Sequence, residues 1–381
     1  VVGLFAGIGG IEQGLSKSGG FEPTMFCEWW EPAQAVLAAR FPGVPLAGDI
    51  NQLTRLPKAD MVTGGFPCTD LSLAGRMAGI EGLQSGLVLK ALDLVARSRP
   101  KWLMLENVRN MLPLHRGRAM KAITDELSEM GYRWAYRVVD SRFTGVPQRR
   151  QRVIILASRS EDPRAVLFAD DAGEPHESRW RGDAFGFYWT EGYRSLGWCV
   201  DGTPTLKGGS TIGIPSPPAI WLPDGPDGQR IVTPGLGAAE RMQGFPKGWT
   251  EPGGHRPRGE GARWKMVGNA VTTGVSKWVG QRLLNPSEWD PSLQQPLADG
   301  ASWPVAAWGE KGLAWRVNVS MWPRHDRYRH LEEFVGSDRR PLSVRATTGY
   351  LDRLRRSALS DDPRFINDLE AHIAHWSALA A

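Results

Sequence analysis

The first 158 residues alternate between two hydrophobic rhythms. Short apolar runs, stopped by glycine or by polar residues, predict strands: VVGLFAG from Val1, EPTMFCEWW from Glu22, ADMVTGGF from Ala59, KWLMLENV from Lys101, YRWAYRVVD from Tyr132 and RVIILAS from Arg152. Between them, apolar residues recur at helical spacing. GIEQGLSKSG, EPAQAVLAARF, GLVLKALDLVARSRP and RAMKAITDELSEMGY predict helices, the first closed by Gly19 and the third by Pro100. Strands alternating with helices of this length predict an α/β fold with a largely parallel sheet covered on both faces.

The pattern changes near Ser158. Residues 159–262 are rich in Gly, Pro, Trp and charge, and TPTLKGGSTIGIPSPPAIWLPDGPDG predicts short strands and turns. Helical periodicity resumes in GAAERMQGF and over NAVTTGVSKWVGQRLL, Asn269 to Leu284. A further block, Pro286 to Ala381, contains SMWPRHDRYRHLEEF and the basic, helix-like YLDRLRRSAL. The expected organisation is a first domain over 1–158, a smaller irregular domain over 159–262, a return segment over 263–285 that completes the first, and a C-terminal extension over 286–381. The extension is expected to pack on the first domain. Its arginines between Arg324 and Arg356 leave open a second reading, a module that touches phosphates.

Composition narrows the class. Hydrophobic residues make up 41% of the 381, enough to bury a sizeable core. No apolar run reaches the roughly eighteen residues of a membrane-spanning helix, and no membrane partner is expected. Cys27, Cys68 and Cys199 are scattered and none forms a CxxC pair, so neither a disulfide framework nor a metal site is expected. The formal net charge of +5 permits a polyanionic partner without requiring one. Most of the 17 tryptophans follow residue 175. They read mainly as packing, with a few able to stack on bases.

Candidate chemistry falls at predicted strand ends, where open α/β sheets bind ligands. Phe5 to Gly10, FAGIGG, follows the first strand and opens a helix, and its glycines let a ligand approach the backbone. Glu28 and Trp29 end the second strand. An acid there can accept from ribose hydroxyls and an indole can cover an adenine, while Asp49 can accept from an exocyclic amine. Cys68 follows the turn GGFP. It reads either as a packed apolar residue or as a nucleophile presented at a strand end. Glu106 ends the neighbouring strand; a helix cap is its bland reading. A thiolate and a carboxylic acid at adjacent strand ends can converge on one small ring, the first attacking carbon and the second protonating nitrogen. Alternation along Gln148 to Arg152 sends Arg150 and Arg152 to one side, where both guanidiniums could hold a carbonyl or a phosphate.

These motifs resemble those of the cytosine-5 DNA methyltransferases, in the family's usual order. FAGIGG resembles the cofactor loop, GGFPC the nucleophile motif, Glu106-Asn107-Val108 the ENV motif, and Gln148 to Arg152 the QRRxR motif. RMQGFP and Gly268-Asn269-Ala270-Val271 resemble the last two. Gly3 and Thr69 depart from the usual Asp and Gln; neither position does the chemistry. The resemblance implies a Rossmann-like methyltransferase sheet over 1–158, a target-recognition domain over 159–262, and S-adenosylmethionine as methyl donor. It places the cofactor at Phe5, Gly7, Gly9, Glu28, Trp29, Asp49, Ile50, Pro67, Leu87, Asn269 and Val271. Cys68 is then the nucleophile at C6 of a cytosine rotated out of double-stranded DNA, Glu106 the acid at N3, Arg152 a contact to the cytosine O2, and Arg150 a support for the active-site loop or a phosphate. Residues 69 to 86 become a lid from which Ser72 reaches the backbone. Thr205 and Lys207, in a Thr-Leu segment ahead of glycines, become DNA contacts, with Arg230 and Lys247 as further candidates. The same resemblance implies a monomeric, cytoplasmic, nucleoid-associated enzyme of a bacterium or phage-infected cell. It would serve restriction–modification, with a cognate endonuclease possible, or phage genome protection. An RNA methyltransferase and an inactive DNA-binding scaffold are the alternatives; the recognition domain favours DNA, and an intact Cys68 and Glu106 favour turnover.

Overall fold

Seven strands of the first half and three from near the end make one ten-stranded sheet. Numbered along the chain, they are β1 (Val2–Leu4), β2 (Met25–Cys27), β3 (Leu46–Ala47), β4 (Met61–Gly65), β5 (Trp102–Val108), β6 (Arg133–Asp140), β7 (Gln151–Ser158), β12 (Gln294–Pro296), β13 (Ala306–Glu310) and β14 (Leu313–Val317). Their order is β12-β14-β13-β6-β7-β5-β4-β1-β2-β3. This computed structural model describes residues 1–66, 85–193, 195–208, 216–254, 259–357, 359 and 362–380. The chain forms two units: Val1–Phe143 with Gln151–Glu174 and Ala270–His325, and Thr144–Arg150 with Pro175–Asn269 and Asp326–Ala381.

In the first unit, β1 to β5 are parallel, as their alternation with helices predicts. The rest of the sheet is not. β7 lies between β5 and β6 and runs against both, and β12, β13 and β14 continue the antiparallel pattern. The sheet is therefore mixed and Rossmann-like. Buried Val2, Leu4, Val62, Leu103, Leu105, Val153 and Ile155 pack one face against the helices Ser85–Ser98 and Arg118–Glu129. The late run expected as a helix from Asn269 becomes one only from Thr273. One helix ends at Asn269 and the next spans Thr273–Leu284. That second helix lies hard against the helix Gly10–Ser18. A Cβ on Gly14 would stand 2.3 Å from the Thr273 carbonyl oxygen, and one on Gly280 2.3 Å from Ser18 Oγ.

Residues 159–174 and 286–325 also belong to the first unit. Arg137, buried on β6, explains part of this. Its guanidinium donates to the carbonyls of Leu167, Asp170 and Ser320 and pairs with Asp171, which ties both segments to the sheet.

The second unit has its own antiparallel sheet of β8 (Phe185–Phe187), β9 (Cys199–Val200), β10 (Ala219–Trp221), β11 (Ile231–Pro234) and β15 (Arg339–Pro341), in the order β15-β11-β10-β8-β9. Side chains alternate between its faces. Ile220, Leu222 and Val232 join Leu206, Leu236, Met242, Trp264 and Phe334 on one side. Phe187, Ala219, Trp221 and Ile231 join Tyr350, Leu354, Phe365 and Leu369 on the other. The extension therefore does not pack as a whole on the first domain. Residues 326–381 supply an edge strand and, with the helices Val344–Arg355 and Pro363–Ala380, the apolar cover this sheet requires. Arg230 is part of that cover, paired with Asp368 at 2.9 Å. No helix among the described residues is long and apolar enough to cross a membrane.

Two stability outcomes follow from this packing. Gly14→Ala is expected to destabilise the fold, because an overpacking cost of about 1–3 kcal/mol exceeds the roughly 1 kcal/mol gained from alanine's helix propensity. Gly86→Ala, where a Cβ meets nothing within 4 Å, should be neutral or stabilising, and urea unfolding of the two variants checks the contrast. The second outcome concerns Glu12, buried beneath β1. Thr63 Oγ1 donates to its Oε1 at 2.6 Å, while Oε2 has no hydrogen-bond partner. Burial raises its pKa above the ordinary carboxylate value, against the opposing bond from Thr63. An acid with a raised folded pKa costs stability as pH climbs from its unfolded pKa towards its folded one. Glu12→Gln should therefore raise the melting temperature at pH 8, with the gain shrinking as pH falls to 4.

Candidate active site

In the first unit the chain runs outward from β1 in both directions, to β2 and β3 on one side and to β4 and β5 on the other. The carboxyl ends of β1 and β4 thus border a topological switch point, where such sheets take ligands. The loop after β1 is shaped for a close approach. Phe5 adopts φ 51° and Gly7 φ 56°, a left-handed backbone that is strained for phenylalanine and free for glycine. Ala6 N donates to the Cys27 carbonyl at 3.2 Å, and Gly7 N to Glu28 Oε2 at 2.8 Å. Space beside Gly7 is open, whereas a Cβ on Gly9 would stand 2.5 Å from the Phe41 ring.

Glu28 is held from three sides. Its Oε1 accepts from Trp30 N at 2.9 Å, and its carbonyl accepts from Gln34 Nε2 at 2.6 Å. Burial pushes its pKa up, and the N–H donors from Trp30 and Gly7 pull against that shift. Trp29, next in the chain, is 78% exposed, an unusual state for an indole on a rigid strand end. Asp49 Oδ1 caps the short turn Ile50–Gln52 by accepting from Asn51 N at 2.9 Å, and Ile50 is buried. The buried Cys27 thiol is pushed up to about 12, chiefly by desolvation, which leaves it inert at neutral pH.

The ends of β4, β5 and β7 gather the second group. Register places Gly65 opposite Glu106 and Val108 opposite Arg152. Arg152 Nε pairs with Glu106 Oε1 at 2.8 Å, and both side chains are nearly buried. A Cβ on Gly65 would lie 3.5 Å from Glu106 Oε2 and 3.9 Å from Val271 Cγ2. Asn107 Nδ2 donates to the Phe66 carbonyl at 3.0 Å, and its Oδ1 accepts from Val108 N. It anchors the last described residue before Pro67. Pro67, Cys68, Ser72 and the rest of the expected lid to residue 84 lie outside the described residues. Leu87, half-buried, packs from the following helix onto the core.

The remaining candidates sit in the second unit. Thr205 Oγ1 donates to the Arg149 carbonyl at 2.8 Å. Lys207, exposed, pairs with Glu191 at 2.6 Å and lies 3.7 Å from the Tyr188 ring centre. Asn269 is exposed at the end of its helix, and Lys247 is exposed as well. Arg150 and Arg152, expected to enter one site together, have separate partners. Arg150 is buried and donates to the carbonyls of Leu206 and Gly268, each at 3.1 Å. Two residues that sequence reasoning did not single out prove central: Asn107 and Gln148. Both stand inside quoted motifs, yet an amide in a polar run carries no signal of which backbone groups it will satisfy.

Comparison with known proteins agrees with this geometry. Residues 1–179 match the family model for C-5 cytosine-specific DNA methylases. Type II methyltransferase M2.BsuMI of Bacillus subtilis (strain 168) is 46% identical over 385 residues, covering 97% of each chain. Type II methyltransferase M.BanI of Aneurinibacillus aneurinilyticus is 31% identical over 211 residues, 54% of this chain and 49% of that one. Among solved structures, the Dnmt2 methyltransferase of S. pombe superposes with a TM-score of 0.54 at 15% identity, over 74% of this chain and 98% of its own, a likeness of fold. A match at 46% identity along nearly the whole length leaves the strand-end chemistry one setting: the chain belongs to the C-5 cytosine-specific DNA methylases and is a DNA cytosine methyltransferase.

Proposed function

We propose that the protein transfers a methyl group from S-adenosylmethionine to C5 of a cytosine in one short DNA sequence, as the modifying half of a restriction–modification system. The observation that carries this reading is the Glu106–Arg152 pair beside Gly65, three residues ahead of Cys68. The full-length likeness to a type II methyltransferase supports the restriction–modification setting.

The residues at the ends of β1 and β2 fit an adenosyl group. Trp29 offers an uncovered indole, the loop at Gly7 is bare, and the Glu28 carboxylate, with about four lone-pair sites and three backbone N–H donors, has acceptor capacity for a hydroxyl. Bound there, S-adenosylmethionine supplies an electrophilic methyl. The chain's own residues do the rest. The target base leaves the duplex, because C5 and C6 cannot be reached within the stack. The Cys68 thiolate bonds to C6, and the displaced π electrons pass towards N3, where Glu106 delivers a proton. Arg152 fixes the Glu106 carboxyl and is the contact to the cytosine O2. C5 is left electron-rich, and the methyl that S-adenosylmethionine would supply would bond there as its bond to sulfur breaks, with S-adenosylhomocysteine as the leaving group. Loss of the C5 proton to a base then expels Cys68 and restores the aromatic ring. Asn107 holds the Phe66 carbonyl, two residues ahead of Cys68 in the sequence. Residues 203–208, in the second unit, belong to the segment that reads the DNA.

Bisulfite sequencing of DNA from a methylation-deficient bacterium expressing the chain tests the reading. Protected cytosines in one fixed context are expected, and their absence, with protein present that binds S-adenosylmethionine, would overturn it. Cys68→Ser should abolish protection while retaining cofactor binding. Glu106→Gln should slow turnover by about 10²–10⁴-fold, the usual worth of a general acid, as read by single-turnover methyl transfer.

A further inference from the structure

The run Gln148–Arg150 has a second task, visible in what its side chains hold. Residues 203–208 lie alongside it. Arg149 N donates to the Thr203 carbonyl at 2.9 Å, and Thr203 N to the Pro147 carbonyl at 2.8 Å. A single parallel bridge, Gln148 with Thr203, starts the pairing and then stops. Beyond it, side chains take over. Leu206 N donates to Gln148 Oε1 at 3.0 Å, and the Leu206 carbonyl accepts from Arg150 Nη1 at 3.1 Å. Tyr188 Oη donates to the Thr205 carbonyl at 2.8 Å. The Leu206 side chain is buried in the apolar cluster beneath.

The holders are themselves fixed. Gln148 Nε2 donates to the Met242 carbonyl at 3.1 Å and to Gln243 Oε1 at 3.3 Å, and Gln243 Nε2 donates to the Val267 carbonyl at 2.8 Å. The second arm of Arg150 takes the Gly268 carbonyl. Gly268 meets the segment directly: a Cβ there would stand 2.2 Å from Gly208 N. The main chain from Thr203 to Gly208 is thus pinned on the RMQGFP segment and on the last turn of the helix Gly259–Asn269, and it presents Lys207 outward.

We propose that Gln148 and Arg150 are positioning residues for sequence specificity. By holding both backbone groups of Leu206 they set the register of the segment that reads DNA, and so decide which cytosine context is methylated. The inference rests on the reading of 203–208 as part of the recognition segment. Its physical basis is that discrimination between bases depends on directional bonds from a support held to within about 0.5 Å. A guanidinium can bind two divergent carbonyls at once, whereas an ammonium on a shorter reach cannot match both. Arg150→Lys therefore keeps the charge and loses the bridge.

The test compares the purified parent with Arg150→Lys and with Tyr188→Phe, which frees only the Thr205 carbonyl. Methylation of a duplex library is read by bisulfite sequencing, with single-turnover rates at saturating DNA and amide exchange of residues 203–208 in the DNA-free protein. For Arg150→Lys, the preference for the cognate site over sites with one base pair changed should fall by about tenfold or more. The saturating rate on the cognate site and its pH profile should stay within a few-fold of the parent. Leu206 exchange should quicken. Tyr188→Phe should shift preference in the same direction by less, and it keeps the idea testable should Arg150→Lys not fold. An unchanged preference in the folded variants, or a lower saturating rate with a shifted pH profile and preference intact, would overturn the proposal; the latter would mark Arg150 as a direct contact to the reacting base. A parent that modifies no cytosine would instead sink the reading of function, and this inference with it.

Discussion

The pairing of Glu106 with Arg152 at the catalytic end of the sheet depends on the direction of one strand. β7 runs against β5, so its first residues lie beside the last residues of β5, and Arg152 stands opposite Val108. A parallel β7 would carry Arg152 to the far edge of the sheet, about 20 Å away at the usual rise per residue. The antiparallel insertion therefore makes the Glu106–Arg152 pair possible, together with the neighbouring bond from Arg109 to Gln151 at 2.6 Å. It has a cost in pattern. β6 and β7 are joined by residues 141–150, and part of that connection is structured in the second unit. Strand direction and domain organisation are thus one decision of the chain.

Missing side chains recur as the means by which backbone meets backbone. At Gly14 and Gly280 the absence of a Cβ lets two helices touch, and the late segment joins the early strands through that contact. At Gly268 the same absence lets the end of a helix lie on Gly208 N. At Gly3 a Cβ would stand 2.6 Å from Glu12 Oε1, so the buried carboxyl and the bare strand position need each other. These are close-packing constraints rather than turn requirements. They explain why glycines sit inside helices, where they are intrinsically unfavourable.

The strands, the helices and the glycine loop were legible because each shows a local rhythm: alternation, helical spacing or a terminator. β1, β2 and β4 through β7 stand where apolar runs placed them, the two-residue β3 had no such run, and the helix before Pro100 ends at Ser98. What escaped was relational. Nothing in RVIILAS states that its strand runs backwards. Nothing in the basic run before it shows that Arg150 would bind carbonyls while Arg152 binds a carboxylate. The late start of the helix Thr273–Leu284 was hidden because the preceding residues Asn269–Thr272 carry no terminator that would set them apart from it. The fate of residues 326–381 was unreadable for a similar reason. Their apolar stripes are plain, but the sheet face they cover comes from short strands more than a hundred residues earlier.

Segment 203–208 shows how a chain can be ordered without regular structure. A buried backbone N–H or carbonyl must find a partner, and in a sheet the neighbouring strand provides it. Here the strand-like pairing ends at Thr203, while Leu206 is still driven inward by its side chain. An amide and a guanidinium complete the pairing. Side-chain partners do not impose the period of a ladder, so the backbone is free to leave strand geometry at Thr205–Gly208 with its polar groups still bound. Regular pairing would repeat one local shape, whereas partners supplied singly can specify a shape used once. A surface that must match one DNA sequence and no other has need of that kind of order.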